Sequence, residues 1–375
     1  MRKYAKPGNT SYADFEPSAK ALLDDLVARL RKVLPESWSI QFPDTRNDIG
    51  ASGHGRYFLD SELMLRTPDS QETLIQVEVT RRLDPKQVPV VIDQFRRKAQ
   101  ARDYRARVVA SAYISPRTRA LLTDAGIGYI DTTGNLRLVI DRPAVFLATE
   151  GASSDPWETQ HDRPLRSLKG PTAGRVVRAL CDFRPPYGVE ELARRSGTSL
   201  GSVSRVFAVL DREGLITREP RGPVTAVKWI DLIRRWTEDY SFARSNTTRG
   251  FLEPRGLSAL LNKLQDASFS YAVTGSLAAA QIAPIAAPRL ATLYVERIDL
   301  VSEELALRPA ETTINVILAE PFDPVVFDRI QVKNGSKYAA TSQIAADLLT
   351  GPGRSPAEGE ELLRWMIENE NAWRS

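Results

Sequence analysis

Three groups of side chains carry types and spacings that could do chemistry. Asp60 lies in the apolar stretch 57–65, and Glu78 lies in Gln76-Val77-Glu78-Val79-Thr80, so two carboxylates sit on neighbouring extended segments. Paired carboxylates suit a divalent ion or a proton-transfer step. Thr80 shares a strand face with Glu78, two residues on, and Gln94 follows on the next predicted helix. The second group is Thr198, Ser199, Ser202, Ser204 and Arg205 at the start of an amphipathic helix, with Arg218 and Arg221 in the ribbon after it. Small polar groups at a helix start and guanidiniums beside it fit the base edges and phosphates of a duplex. The third is the turn Gly275-Ser276 between a short apolar run and an Ala-rich helix.

The elements that must position these groups follow from hydrophobic spacing. Residues 17–34 place Leu22, Leu23, Val27 and Leu30 on one helical face. Runs at 38–42, 57–65 and 73–80 alternate or are apolar and end at Pro, Gly, Asp or Ser, which predicts three strands. A helix at 87–103, a strand at 107–114, a helix at 116–125 and strands at 127–130 and 136–140 complete an α-βββ-α-β-α-ββ order over residues 1–149, a mixed α/β domain. Residues 150–171 are polar, without a period, and read as a linker. Helices at 172–182, 189–196 and 199–212, a ribbon over 215–229 and a helix at 230–244 make a second domain, 172–245. Residues 246–375 alternate helices with strands at 271–274, 291–296 and 313–318. The whole reads as a multidomain α/β and α+β chain.

Composition narrows the classes. The 375 residues carry a net charge of +4, but residues 1–150 hold +4, 151–250 hold +5 and 251–375 hold −5. A basic front and an acidic back place any polyanionic partner on the first 250 residues. From Arg163 to Arg221 there are 12 basic and 6 acidic residues, a balance of +6 around the second group. One cysteine, Cys181, excludes an internal disulfide, and two histidines, His54 and His161, exclude a His-rich zinc site. The opening stretch has no apolar run of signal-peptide kind and no segment is apolar enough for a membrane span, so the expectation is a cytoplasmic protein with no membrane partner.

About 60 residues of the second domain resemble a winged helix-turn-helix of bacterial transcriptional regulators: Glu190-Glu191-Leu192-Ala193-Arg194-Arg195-Ser196, a turn at Gly197, the helix with Val203, Val206, Phe207 and Leu210 inside, and a ribbon after Gly214-Leu215-Ile216. The resemblance implies double-stranded DNA as partner and a homodimer. The first domain is similar to the restriction-endonuclease, PD-(D/E)xK, superfamily, in which two carboxylates hold the metal and a lysine two residues after the second activates water. The resemblance puts Asp60 and Glu78 in the acid positions and Thr80 in the lysine position, so the domain reads as a degenerate nuclease fold that binds DNA or a partner. Tyr271-Ala-Val-Thr-Gly275-Ser276 resembles the opening of nucleotidyltransferase folds, where such a turn approaches nucleotide phosphates, yet 293–297 lacks the acid pair that metal binding requires. The last 200 residues also resemble regulators related to abortive-infection antitoxins of type IV toxin-antitoxin systems, which implies a cognate toxin or regulatory protein as a further partner. The leading expectation is therefore a sequence-specific DNA-binding regulator without cofactor. The alternatives are a magnesium-dependent nuclease using Asp60 and Glu78, and a partner-binding protein with secondary DNA contact.

Overall fold

The computed structural model describes residues 19–42, 58–80, 82–98, 104–156, 167–219 and 222–375. The chain is a mixed α/β protein forming two compact units, one of residues 1–163 with 212–214 and one of 164–211 with 215–375. No helix among the described residues is long and apolar enough to cross a membrane.

The first unit runs α1 (Ala19–Val33), β1 (Ser39–Gln41), β2 (Phe58–Arg66), β3 (Glu72–Thr80), α2 (Val88–Lys98), β4 (Ala106–Ser111), α3 (Pro116–Asp124), β5 (Gly128–Asp131), β6 (Leu136–Ile140) and β7 (Val145–Thr149). Its seven strands lie in chain order across one sheet. The β3–β4 and β4–β5 pairs are parallel and the others antiparallel. Each parallel pair requires a crossover, and α2 and α3 supply the two. Strand alternation then sorts the side chains. Val77, Val79, Val108 and Ala110 join α1 through Leu22, Leu26 and Leu30 on one face. Val109 joins Val91, Phe95 and Leu122 of α2 and α3 on the other. Helix α3 is opened by Ser115, whose hydroxyl accepts the Thr118 N–H at 3.2 Å, with Pro116 at its first position.

The second unit begins with α4 (Pro171–Asp182), α5 (Val189–Ser196) and α6 (Leu200–Arg212), then the ribbon β8 (Ile216–Arg218) and β9 (Val224–Val227), α7 (Trp229–Asp239) and α8 (Phe242–Ser245). It continues with β10 (Thr247–Leu252), α9 (Leu257–Gln265), β11 (Tyr271–Thr274), α10 (Gly275–Ala279), β12 (Ala291–Val295), α11 (Ile298–Glu304), β13 (Arg308–Pro309), β14 (Val316–Glu320), β15 (Gln331–Lys333), β16 (Ser336–Tyr338) and the helices α12 (Thr341–Leu349), α13 (Ser355–Glu368) and α14 (Glu370–Trp373). Its sheet has the order β13-β10-β14-β12-β11-β16-β15, with β12–β14 and β11–β16 parallel.

One hydrophobic core runs through this unit, from Val176, Leu192, Phe207 and Trp236 to Leu293, Leu318, Ile344 and Leu362. Residues 172–245 and 246–375 thus share a single interior. Polar groups also tie them together. Arg178 of α4 binds Asp182 at 3.0 Å and Gln343 of α12 at 3.0 Å, and Ser342 donates to Asp182. The last carbonyls of α4, which no helical N–H can reach, take donors from the far end of the chain. Arg374 donates to Cys181 O at 2.8 Å and Leu180 O at 3.2 Å, and the Ser375 N–H donates to Asp182 O at 3.1 Å.

Candidate functional site

On β3 the residues alternating with the α1-facing valines are Gln76, Glu78 and Thr80, so all three point to the side of α2 and α3 and all are buried. Backbone register sets Asp60 of β2 opposite Glu78, Glu62 opposite Gln76, and Arg107 of β4 beside Gln76. Pairing thus brings Asp60 and Glu78 to one level of the sheet. Tyr104 donates its hydroxyl to Glu62, and Thr80 donates to Arg82 O at 3.0 Å, so the threonine in the lysine position is bound to backbone. Gln76 is 0% exposed, and neither its Nε2 nor its Oε1 has a hydrogen-bond partner. Gln94 Oε1 on α2 is likewise buried without one. An unsatisfied buried amide costs roughly 1–3 kcal/mol, so this row is held at a cost to stability. Among the described residues no three His, Cys, Asp or Glu side chains gather into a metal-binding group. Gln76 escapes a sequence reading because one more polar letter in an alternating strand looks solvent-facing; only the register shows that both faces are covered.

In the second unit α6 buries Val203, Val206, Phe207 and Leu210 and leaves Leu200, Gly201, Ser204, Arg205 and Ala208 in solvent. The exposed positions are small apart from Leu200, which is 50% exposed, and Arg205. Gly197 ends α5 in the left-handed region at φ 59°, which a side chain rarely adopts, and this turn sets α6 against α5. Ser199 begins α6: its Oγ accepts the Ser202 N–H at 3.2 Å and lies 2.9 Å from Ser202 Oγ. Arg205 Nη2 donates to Ser202 Oγ at 3.3 Å, and the Thr198 hydroxyl lies 2.8 Å from Ser196 Oγ. The hydroxyls of Thr198, Ser199 and Ser202 are therefore engaged in shaping the turn, while Ser204 and Arg205 are exposed, Arg205 with one guanidinium nitrogen held by Ser202. The Arg218 guanidinium lies over the Phe207 ring at 5.6 Å, which holds the ribbon against α6. Arg221 lies outside the described residues. Leu200 is the exposed position that a search for polar contacts passes over.

The turn at Gly275-Ser276 has Gly275 at φ 65° and leads into α10, five residues long. Ser276 donates its hydroxyl to Glu358, which also pairs with Arg354 at 2.7 Å. The turn therefore faces a carboxylate, which opposes an incoming phosphate. Behind it, Asp347 accepts from Thr274 at 2.5 Å, Tyr240 at 2.7 Å, Tyr294 at 2.9 Å and Gln343 at 2.9 Å. Burial pushes the Asp347 carboxyl above its ordinary value, while these donors pull the other way. Burial, reinforced by the charge of Asp347, also pushes the hydroxyls of Tyr240 and Tyr294 well up. No family model, curated protein or solved structure matches the chain.

Proposed function

We propose that the chain is a DNA-binding regulator whose residues 172–229 form a winged helix-turn-helix. In this reading α6 enters the major groove and the ribbon β8–β9 lies along the backbone. The observation that carries it is the solvent face of α6. A 13-residue helix is packed on one side and presents Gly201, Ser204, Arg205 and Ala208 on the other, slim enough for a groove and carrying one base-reading guanidinium. In this reading Arg194 of α5, exposed, and Arg218 of the ribbon, half-buried, would take phosphates. With three or four cations engaged, affinity falls about a hundredfold between roughly 50 and 200 mM salt. Selected-site enrichment followed by fluorescence anisotropy tests this. Arg205→Ala is expected to cost about 1–3 kcal/mol and to relax specificity at one base pair. A salt-independent affinity, or an unchanged site preference in Arg205→Ala, would overturn the assignment.

A second reading is favoured by the unsatisfied amide of Gln76 beside Glu78. In it the first unit is a restriction-endonuclease-like domain in which Asp60 and Glu78 would hold magnesium. The ion would supply an activated water, while Gln76 orients a ligand oxygen. Plasmid cleavage with Mg²⁺ or Mn²⁺ that is lost in Glu78→Ala supports this reading. Intact plasmid under both ions removes it.

A further inference from the structure

Each of the two large sheets ends in two edge strands, whose outward N–H and C=O groups can take a further strand. Three of these four edges are blunted. β1 and β15 are three residues long, β15 carries Lys333, and β13 is two residues long and ends in Pro309. β7 is not blunted: Val145-Phe146-Leu147-Ala148-Thr149 has neither charge nor proline and runs in unbroken register with β6 over five pairs. Among the described residues no strand pairs with its outer side.

The side chains of β7 are open on one face as well. Val145 and Leu147 turn to the α1 core and are half-buried. Phe146 and Ala148 turn the other way, beside Val139 and Arg137 of β6. The core under α2 and α3 reaches Val109 and Tyr129 on that face and takes in none of these four. Phe146 is therefore 69% exposed and Val139 38%, with the Arg137 guanidinium 6.0 Å from the Phe146 ring.

The strand fits a second copy of itself. Antiparallel pairing about a two-fold axis through Leu147 sets Phe146 opposite Ala148 of the second copy, and Val145 opposite its Thr149. A large ring then meets a methyl group, and beyond it the Arg137 guanidinium that is in register with that Ala148. An axis normal to the sheet keeps Val145 and Leu147 of both copies on the α1 side, so both faces continue across the seam. The strand brings no like charges together, and Glu150 arrives at the turn 141–144, where Arg142 offsets Asp141.

We propose that β7 is a dimerisation edge, through which two copies of the chain join their seven-stranded sheets into one. The surface is separate from the DNA reading and is measured without DNA. One short strand and one ring from each copy make a small interface, so sedimentation equilibrium of the full chain from about 1 to 300 µM is expected to give a Kd of roughly 10–100 µM. Phe146→Lys, at an exposed position, is expected to weaken the dimer at least about tenfold with an unchanged urea midpoint. Leu147→Cys lies on the two-fold axis and is expected to cross-link under mild oxidation, whereas Thr149→Cys, set off the axis, is not. Cys181 stays silent, being 1% exposed with its thiol pushed up by burial. Three results overturn the proposal: a monomer up to about 300 µM, as when a strand of a different protein takes this edge; a dimer unchanged in Phe146→Lys; or Thr149→Cys cross-linking as readily as Leu147→Cys.

Discussion

Replacing Arg178 with methionine isolates the buried polar contacts that join α4 to α12. Arg178 is 1% exposed and donates to Asp182 at 3.0 and 3.2 Å, to Gln343 Oε1 at 3.0 Å and to the carbonyls of Val325 and Asp328 at 3.3 Å. Methionine fills much of the same volume and donates nothing. The Asp182 carboxylate, itself buried, is left with Ser342, and three further oxygens lose a donor. Leaving one buried charge without its partner costs about 3–5 kcal/mol. With a urea m-value of about 2–3 kcal/mol/M, the transition of the second unit shifts down by roughly 1–2.5 M. Tryptophan fluorescence is weighted to that unit, since four of the six tryptophans, Trp229, Trp236, Trp365 and Trp373, belong to it; Trp38→Phe/Trp157→Phe in the background makes it report that unit alone. Arg178→Met/Asp182→Leu is expected to regain most of the loss, because two apolar groups of similar volume replace a buried pair at little net cost. A loss under about 1 kcal/mol in the single variant, or no recovery in the double, would refute the reasoning.

Three further outcomes are expected. Because the folded Asp347 carboxyl titrates above its ordinary value of about 3.9, the native state keeps a proton that the unfolded chain has released in the window between the two. Stability of the second unit therefore declines as pH rises through that window; urea midpoints of Asp347→Asn should lack this slope, and a slope equal to wild type would contradict the assignment. Gln76→Met in the first unit should raise its thermal midpoint, by about 1–2 kcal/mol of stability, since both unsatisfied amide atoms disappear while the volume stays. Gly128→Ala should destabilise the same unit by more than about 2 kcal/mol on urea titration, because the new Cβ would lie 2.5 Å from Arg137 O and 3.3 Å from Arg107 O, both backbone atoms of neighbouring strands.

What could be read in the sequence was what repeats with a local period. Val203, Val206, Phe207 and Leu210 announce α6, and all four are buried. The alternation in β3 likewise announces a strand, and the antiparallel and parallel neighbours it takes bring Asp60 level with Glu78. What could not be read was what depends on partners far along the chain. Thr247–Leu252 has no apolar alternation, yet it forms β10 because β13 and β14 flank it, and Gly250 leaves room for Ile314 to pack over it. Arg178 and Asp182, four apart, have the spacing of any surface ion pair on a helix. Only the elements packed over them show that the pair is interior, and hence that the residues assigned to a second and a third domain share one core. The Gly275-Ser276 turn was visible as a turn, whereas its occupation by Glu358 comes from a helix 82 residues downstream.

The donors that close α4 impose an order in time. Leu180 O has a near donor in the Tyr187 hydroxyl at 3.3 Å, but Cys181 O waits for Arg374, 193 residues further on. At a ribosomal rate of about 5–20 residues per second, that separation is roughly 10–40 s of synthesis. Over that interval Cys181 O of a nascent α4 is open to water. The first unit, whose strands pair in chain order, has its partners as they emerge. The second unit therefore closes this end of α4 only with its last residues, Arg374 and Ser375.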